Sequence, residues 1–415
     1  MKLFRQIIRR RVLVFLAIMG PGLVTATADN DAGGIATYAI VGAAYGYQML
    51  WILVLITISL GVVQEMIARM GVVTGKGLAD LIREEFGVKT TAFAMLTLLV
   101  ANIATTIAEF VGIAAASELL GIPKLVTIPL AALFVWFIVV RGSYKRAEKI
   151  FLVLSLVFIA YVFAGFLAKP DWGDVARGLV TPTIVPETKF ILLFIATVGT
   201  TITPWMQFYL QGSIVDKGLK VEEYAYARAD VLFGAFVTDF FSFFMIVATG
   251  ATLYVTGQRV IDSAAQAAQA LAPIAGELAS ELFAIGLLGA SLLAASILPL
   301  STAYAICEAF GWERGVNQSW EDARIFYGLY TGLIIVGAAV ALIPDVPLIT
   351  ILLASQTVNG ILLPVILILM LRLCNDRRLM GKYANSRLAN IIGWTTALVV
   401  IAATIVLLVS TVVSF

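Results

Sequence analysis

The sequence contains no histidine and only two cysteines among its 415 residues. Histidine is the usual proton shuttle near neutral pH and the commonest transition-metal ligand, so its absence excludes Ser–His, Cys–His and zinc–His sites. Cys307 and Cys374 are too far apart in the chain for a metal-finger spacing, and they give no disulfide framework. We therefore predict that the chain is not an enzyme and carries no cofactor.

Charged residues are also scarce. They make up 13% of the chain, whereas about a quarter of an ordinary soluble protein is charged. Hydrophobic residues make up 61%, and no soluble domain could cover that much apolar surface. The formal net charge of +2 gives no electrostatic signal for nucleic acid. The composition therefore predicts an integral membrane protein with the lipid bilayer as its surroundings and no nucleic-acid partner.

Long apolar segments predict eleven transmembrane helices, because a spanning helix needs about 20 mostly apolar residues. No segment has the alternating pattern of barrel strands, so the expected fold class is all-α. The predicted spans are residues 13–43, 46–69, 90–119, 122–141, 149–168, 189–212, 231–256, 280–308, 325–344, 346–371 and 388–413.

Lys and Arg are distributed unevenly between the predicted loops, and cytoplasmic loops retain these residues. With the N-terminus in the cytoplasm, all but five of the 28 Lys and Arg residues lie on the cytoplasmic side. The five on the outer side are Lys124, Lys169, Arg177, Lys189 and Arg259. This bias predicts a multi-pass protein of the cell inner (plasma) membrane with its N-terminus in the cytoplasm and its C-terminus outside.

Two of the predicted spans are interrupted at matching positions. The first is broken at Asp29–Gly34, and the sixth at residues 198–205, where Pro204 removes a backbone donor. Gly and Pro also kink ordinary membrane helices, but two carboxylates in the first break favour a functional interruption. We expect one domain with two inverted five-helix repeats and an extra helix. The domain is residues 1–415, the repeats are about 13–168 and 189–371, and the extra helix is 388–413.

Acidic residues inside a span cost about 2.5–3.5 kcal/mol each at the bilayer centre and persist mainly beside a partner or water. Asp31 is the strongest candidate, because the two glycines near it let the backbone leave the helix and expose carbonyl oxygens. Such hard oxygen ligands predict a cation site. Asp29 is expected to assist Asp31 or to line the entrance to the site. Asp239 is either a hydrogen-bonding group in helix packing or a functional residue. Glu65 and Glu308 lie near the predicted cytoplasmic ends of their spans, where contact with water accounts for a charged side chain.

Two further spans carry polar residues at helical spacing. Thr106 and Glu109 are three residues apart, so they share one face of the third span, where a hydroxyl and a carboxylate could meet a hydrated cation. The alternative to a metal-binding role is structural: the Thr106 hydroxyl bonds to its own helix, and Glu109 pairs with an arginine. Gln356 and Asn359 give the same spacing, as a weaker signal, in the tenth span.

Several long motifs resemble the NRAMP family of divalent-metal transporters. GPGLVTATADNDAGGIATYAIVGAAYGYQMLW is similar to that family's first-helix region, and VVQEMIARMGVVTGKGLADLIREEF to its second helix and following loop. AEFVGIAAASELLG resembles the third helix, and TVGTTITPWMQFYLQGSIV resembles the sixth. The resemblance runs from about residue 19 to 372. It implies the LeuT-type fold, a five-plus-five inverted repeat with discontinuous helices 1 and 6.

The chain departs from the family's motifs at three places. The family's DPGN is DAGG at residues 31–34, so the carboxylate is kept and the asparagine amide is lost. The family's Met-Pro-His in helix 6 is Thr-Pro-Trp at residues 203–205, and the first of two helix 3 acids is Thr106. This set of departures resembles the NRAMP-related magnesium transporters, a bacterial branch of the family.

The resemblance implies that the site takes Mg²⁺, and also Mn²⁺, as a partly hydrated ion. Without a thioether, the remaining carboxylate, hydroxyl and carbonyl oxygens are the ligand set of Mg²⁺. Asp31 would be the anionic ligand, Glu109 and Thr106 would hold outer-shell waters, and Gln356 would close the site. The other expected contributors are the carbonyls near Ala28 and Thr200, the Thr203 hydroxyl, and Gly34, whose small size leaves room for water.

The predicted function is import of Mg²⁺ and Mn²⁺ by a monomer through alternating access, driven by the membrane potential without protons. The family's helix 6 histidine and one helix 3 acid are absent, and 100 mV supplies about 4.6 kcal/mol to a dication. The alternative within the class is a proton-coupled importer of Mn²⁺ or other transition metals. An amino-acid or amine transporter, a channel and a membrane-embedded enzyme are further alternatives; Asp31 would repel a substrate carboxylate unless a sodium ion intervened.

Overall fold

The computed structural model describes residues 20–141, 159–316 and 318–413, and over these ranges the chain is helical without strands. Short 3₁₀ or π turns interrupt the chain at Val221–Glu223, Gly250–Tyr254, Gln269–Leu271, Gly276–Leu278 and Gly381–Tyr383. The α-helices are α1 Pro21–Asp29, α2 Ala32–Tyr45, α3 Leu50–Thr74, α4 Leu78–Leu119, α5 Lys124–Val140, α6 Ile159–Leu167, α7 Trp172–Val180, α8 Thr188–Thr201, α9 Pro204–Asp216, α10 Tyr224–Thr249, α11 Ala264–Ala268, α12 Ala272–Ala275, α13 Ala279–Phe310, α14 Arg324–Leu342, α15 Leu348–Asn375, α16 Arg377–Met380 and α17 Arg387–Val413.

Eight helical stretches of the described chain are long and apolar enough to cross a bilayer, and α2 and α5 are shorter apolar helices. This agrees with a multi-pass membrane protein. The count of eleven spans stays a prediction, because residues 13–19 of the first span and 149–158 of the fifth lie outside the described residues. The N-terminal tail, which is predicted to be cytoplasmic, and most of the loop at 141–149 carry much of the charge bias and lie outside them as well.

The fourth helix starts earlier than the sequence predicts. The expected loop at 69–89 contains the first turns of α4, which begins at Leu78 instead of residue 90. Gly87 adopts φ 76°, a conformation that glycine reaches without steric cost, so the chain bends there and continues as helix. The charged residues before the bend, among them Glu84 and Glu85, are polar enough to hide the helix from a hydropathy search.

The first broken helix is interrupted more tightly than expected. Only Asn30 and Asp31 lie between α1 and α2. The expectation that Gly33 and Gly34 unwind the backbone is wrong, because both belong to the first turn of α2. Asp31 is the N-cap of that helix, and its carboxylate accepts the Gly34 N–H at 2.6 Å, which restarts the helix at once.

The glycines serve close packing instead. A Cβ on Gly33 would overlap the Gln356 amide of α15, and one on Gly34 would lie 2.9 Å from the Thr200 hydroxyl of α8. Gly199 of α8 likewise packs on the Gln356 carbonyl. The absence of side chains at these positions therefore allows α2, α8 and α15 to meet beside the first break.

The second broken helix is interrupted at Ile202 and Thr203, inside the predicted range of 198–205. Pro204 occupies the first position of α9, where its missing N–H would have no partner in any case. The proline therefore starts the second half-helix and does not merely kink a continuous one.

The start of α1 is held by α10. The Gly22 N–H donates to Asp230 at 2.7 Å, and the Gly20 N–H donates to the same carboxylate at 3.3 Å. A Cβ on Gly22 would lie 2.8 Å from the Val231 Cα, so the two helices cross with their backbones in contact. Small residues permit this kind of crossing in membranes.

Candidate metal site

Asp31 lies in the first break and is 1% exposed. Besides the Gly34 N–H, its carboxylate accepts hydrogen bonds from the Gln356 amide at 3.0 and 3.2 Å, one to each oxygen. Gln356 is itself oriented by Asn359, whose amide donates to the Gln356 Oε1 at 2.9 Å. Asn359 also donates to the Thr105 hydroxyl at 3.0 Å. A chain of hydrogen bonds from α4 through α15 thus fixes the position of the Asp31 carboxylate.

Glu109 of α4 is the second carboxyl group of the site and is fully buried. Its Oε2 accepts the Ala32 N–H at 3.3 Å, its Oε1 has no hydrogen-bond partner, and it interacts directly with the Asp31 carboxyl. Two ionised carboxylates at this range repel each other. A bound cation or a shared proton relieves that repulsion, so the pair suits a group that carries positive charge.

Three buried threonine hydroxyls around the breaks have no hydrogen-bond partner: those of Thr106, Thr200 and Thr203. Thr200 faces Gly34 across the α2–α8 contact. Thr203 is the N-cap residue of α9, yet its hydroxyl caps nothing. Buried polar groups are normally hydrogen-bonded, so hydroxyls left free in this place are oxygen ligands available to an ion or its water.

Thr106 packs its methyl group towards Gly337 of α14, and its hydroxyl has no hydrogen-bond partner among the described residues. Thr105, four residues before Glu109, bonds to Asn359 of α15. The part expected of Thr106 at the metal site stays a prediction, and the hydrogen bond of Thr105 gave no signal in the sequence.

Ala28 and Thr200 each lie in the last turn of a half-helix, α1 and α8 respectively. The last four carbonyls of a helix have no partner within it, and the C-terminal end carries a partial negative charge. Both half-helices therefore end at the site with carbonyl oxygens and a dipole that favours a cation. Clusters of three or more acidic or cysteine side chains in metal-binding geometry do not occur in the described ranges.

The two acids assigned to the cytoplasmic ends have ordinary partners there. Glu65 pairs with Arg69 at 3.3 Å and accepts a hydrogen bond from the Tyr224 hydroxyl. Glu308 accepts the Asp80 N–H at 3.1 Å and lies 3.4 Å from Arg314. These contacts account for both residues without any part in the metal site.

The sequence matches the model of the natural resistance-associated macrophage protein-like family, Nramp, over residues 22–410. The chain belongs to the Nramp family. The expected membership is thereby confirmed at the level of the family, which is one of metal-ion transporters and not of enzymes. The family match does not distinguish the magnesium branch from the rest of the family.

Relatives of this Nramp chain match it over nearly its whole length. The divalent metal cation transporter MntH of Erwinia tasmaniensis is 28% identical over 403 residues, which cover 95% of this chain and 94% of the relative. MntH of Klebsiella pneumoniae subsp. pneumoniae is also 28% identical, over 396 residues covering 94% and 93%.

Solved structures confirm the LeuT-type fold of this Nramp chain. The Eremococcus coleocola manganese transporter aligns with a TM-score of 0.78 at 22% identity, covering 94% of this chain and 86% of the other. MhsT in complex with L-phenylalanine aligns with a TM-score of 0.60 at 14% identity, covering 94% and 98%. The interrupted helices described above are thus part of a known transporter architecture.

Proposed function

We propose that this Nramp protein imports divalent cations, Mg²⁺ and also Mn²⁺, as partly hydrated ions by alternating access. The membrane potential drives uptake without proton coupling. The protein acts as a monomer in the inner membrane, with its N-terminus in the cytoplasm and its C-terminus outside, and the two five-helix repeats move against each other around the breaks.

One observation carries the proposal: a fixed, buried carboxylate in a helix break lies beside a second carboxyl group and an unpartnered hydroxyl oxygen. Asp31 is neighboured by Glu109 and, at Gly34, by the free hydroxyl of Thr200. The half-helices α1 and α8 end at the two breaks, and the free hydroxyl of Thr203 lies in the second one. Oxygen ligands suit Mg²⁺ and Mn²⁺, whereas thioether and imidazole favour the softer transition metals. The curated relatives are divalent metal cation transporters, and this supports the charge and class of the ion.

The packing beside Asp31 supports an alternating-access cycle. The volume freed at Gly34 is occupied by the Thr200 hydroxyl, and Gln356 occupies both Asp31 oxygens. A hydrated ion can therefore reach Asp31 only when α2 parts from α8 and the Gln356 amide turns or withdraws. In this proposal, Gln356 closes the site.

The membrane potential alone supplies enough free energy for the proposed Mg²⁺ uptake. One charge moved through 100 mV gains about 2.3 kcal/mol, so a dication gains about 4.6 kcal/mol. At 1.36 kcal/mol per decade, that supports an ion gradient on the order of a thousandfold. Uptake of an abundant ion such as Mg²⁺ needs no further energy source.

The proposal is tested in proteoliposomes with a potassium gradient and valinomycin to set the potential. Uptake of Mg²⁺, Mn²⁺ and Ca²⁺ is followed together with a pH dye inside the vesicles. We expect Mg²⁺ and Mn²⁺ uptake that scales with potential, no dye response, and loss of uptake in Asp31→Ala but not in the exposed control Asp262→Asn. Mg²⁺ uptake unaffected by Asp31→Ala would refute the proposal.

The alternative of proton-coupled Mn²⁺ import rests on one observation, the free Oε1 of Glu109 beside Asp31, where a proton could be held. In the same experiment it predicts that Mn²⁺ entry acidifies the vesicle interior and that millimolar Mg²⁺ does not compete. The dye response and the competition separate the two functions.

A further inference from the structure

A second acidic pair lies on the other side of the first break. Asp29 is the last residue of α1, and Asp239 belongs to α10; both are 3% exposed. Their carboxyl groups are within electrostatic range of each other. Asp31 is bonded by Gln356 of α15, whereas Asp29 lies within electrostatic range of both Asp31 and Asp239, so two acidic pairs meet around the break.

Three of the four carboxyl oxygens of this second pair have no hydrogen-bond partner among the described residues. They are Asp29 Oδ1 and both oxygens of Asp239. The Thr57 hydroxyl is a neighbour of Asp239, but its proton is donated to the Leu53 carbonyl at 2.8 Å. Buried carboxylate oxygens left in this state are costly unless something positively charged binds them.

Further oxygen atoms lie around Asp29 and Asp239. The Tyr38 hydroxyl is 1% exposed, lies within electrostatic range of both acids, and is 2.8 Å from the Thr201 hydroxyl. Ser242, one turn after Asp239, is a hydrogen-bonding neighbour of Tyr38. Next to these residues, the Asn30 amide donates to the Thr238 hydroxyl at 3.1 Å and so ties the first break to α10. Two carboxylates and several hydroxyls are a hard ligand set.

The charges around the break are not balanced by basic side chains. The four carboxyl groups are those of Asp29, Asp31, Glu109 and Asp239. None of them forms an ion pair with Lys or Arg within the residues that the structure describes. One dication would neutralise the Asp31 and Glu109 pair, and a second would neutralise the Asp29 and Asp239 pair.

We infer that Asp29 and Asp239, with the hydroxyl oxygens around Tyr38, form a second binding site for a hard divalent cation. This site lies between α1, α2, α3 and α10, across the break from Asp31. The inference takes only the class of ion from the proposed function. Two sites at one helix break give the ion a second binding position next to the transport site.

The test is a count of bound Mn²⁺ on the purified full chain, by equilibrium dialysis with metal analysis and by electron paramagnetic resonance titration, at pH 6 and pH 8. We expect two ions per chain in the wild type. Asp239→Asn and Asp29→Asn should each bind one, with the second dissociation constant raised more than 100-fold. The exposed acid Glu277 supplies the matched control, and Glu277→Gln should still bind two.

One Mn²⁺ per wild-type chain at both pH values overturns the inference, and this result needs no variant. So does an unchanged count of two in a folded Asp239→Asn or Asp29→Asn protein. If the single wild-type ion is lost in Asp31→Ala, the inference fails while the proposed function stands. If Asp31→Ala removes no ion, it is the proposed function that fails. Monodispersity and melting temperature establish that each variant is folded.

Discussion

The Gln356 amide nitrogen donates to both carboxylate oxygens of Asp31, at 3.0 and 3.2 Å, across the contact between α2 and α15. The amide therefore competes with an arriving ion for the same lone pairs. It also orients the carboxylate, because Asn359 and Thr105 hold Gln356 from behind. The ion must either displace this amide or bind its oxygen after the side chain turns.

Gln356→Ala is predicted to raise the half-saturating Mg²⁺ concentration for uptake about 10- to 100-fold, the usual effect of losing a group that orients a metal ligand. Asn359→Ala should give a smaller change in the same direction. Thr357→Ala is the matched control, because Thr357 bonds only to the Leu353 carbonyl of its own helix. Equal effects of Gln356→Ala and Thr357→Ala on half-saturation would show that Gln356 does not act on the ion.

Gly34→Ala is predicted to lower the rate of Mg²⁺ uptake at least about 10-fold. The added Cβ would lie 2.9 Å from the Thr200 hydroxyl, closer than such contacts allow, so the Thr200 side chain or the contact between α2 and α8 must shift. Gly328→Ala in α14 is the control, since a Cβ there meets nothing within 4 Å. The measurement is initial uptake rate at fixed potential, normalised to the amount of folded protein. Similar rates for the two variants would contradict the role assigned to this packing contact.

Thr203→Met is predicted to shift the ion preference towards Mn²⁺ by about tenfold or more, because a thioether favours softer metals over Mg²⁺. Thr203 is 1% exposed and its hydroxyl has no partner, so the substitution breaks no hydrogen bond of its side chain. Competition of Mn²⁺ and Mg²⁺ for uptake gives the ratio directly. Thr203→Val, which removes the hydroxyl without adding sulfur, should weaken both ions without changing their order.

Much of the architecture was predictable from the sequence, because a helix that crosses a bilayer must be mostly apolar over about 20 residues. Both breaks were located within a few residues, from Asp31 and Pro204. The boundaries that failed did so for physical reasons. The start of α4 is polar, and the role of Gly33 and Gly34 depends on which helices press against them, which no local pattern reveals.

The site was predictable only in part. Asp31, Glu109 and Gln356 are brought together by the fold, as the intramembrane cost of acids and the family resemblance suggested. The hydrogen bond between Thr105 and Asn359 depends on how α4 packs against α15, which no local pattern reveals. The pairing of Asp29 with Asp239 joins residues 210 positions apart, and a single sequence carries no signal for such a contact.

The carboxylate of Asp230 gives the first half-helix a latch. Any swing of α1 away from α10 must release the N–H groups of Gly20 and Gly22, and hydrogen bonds to a charged group are worth about 1.5–3 kcal/mol each. Water that reaches the Asp230 carboxylate can take over both bonds, so hydration of this contact and release of the helix start are coupled.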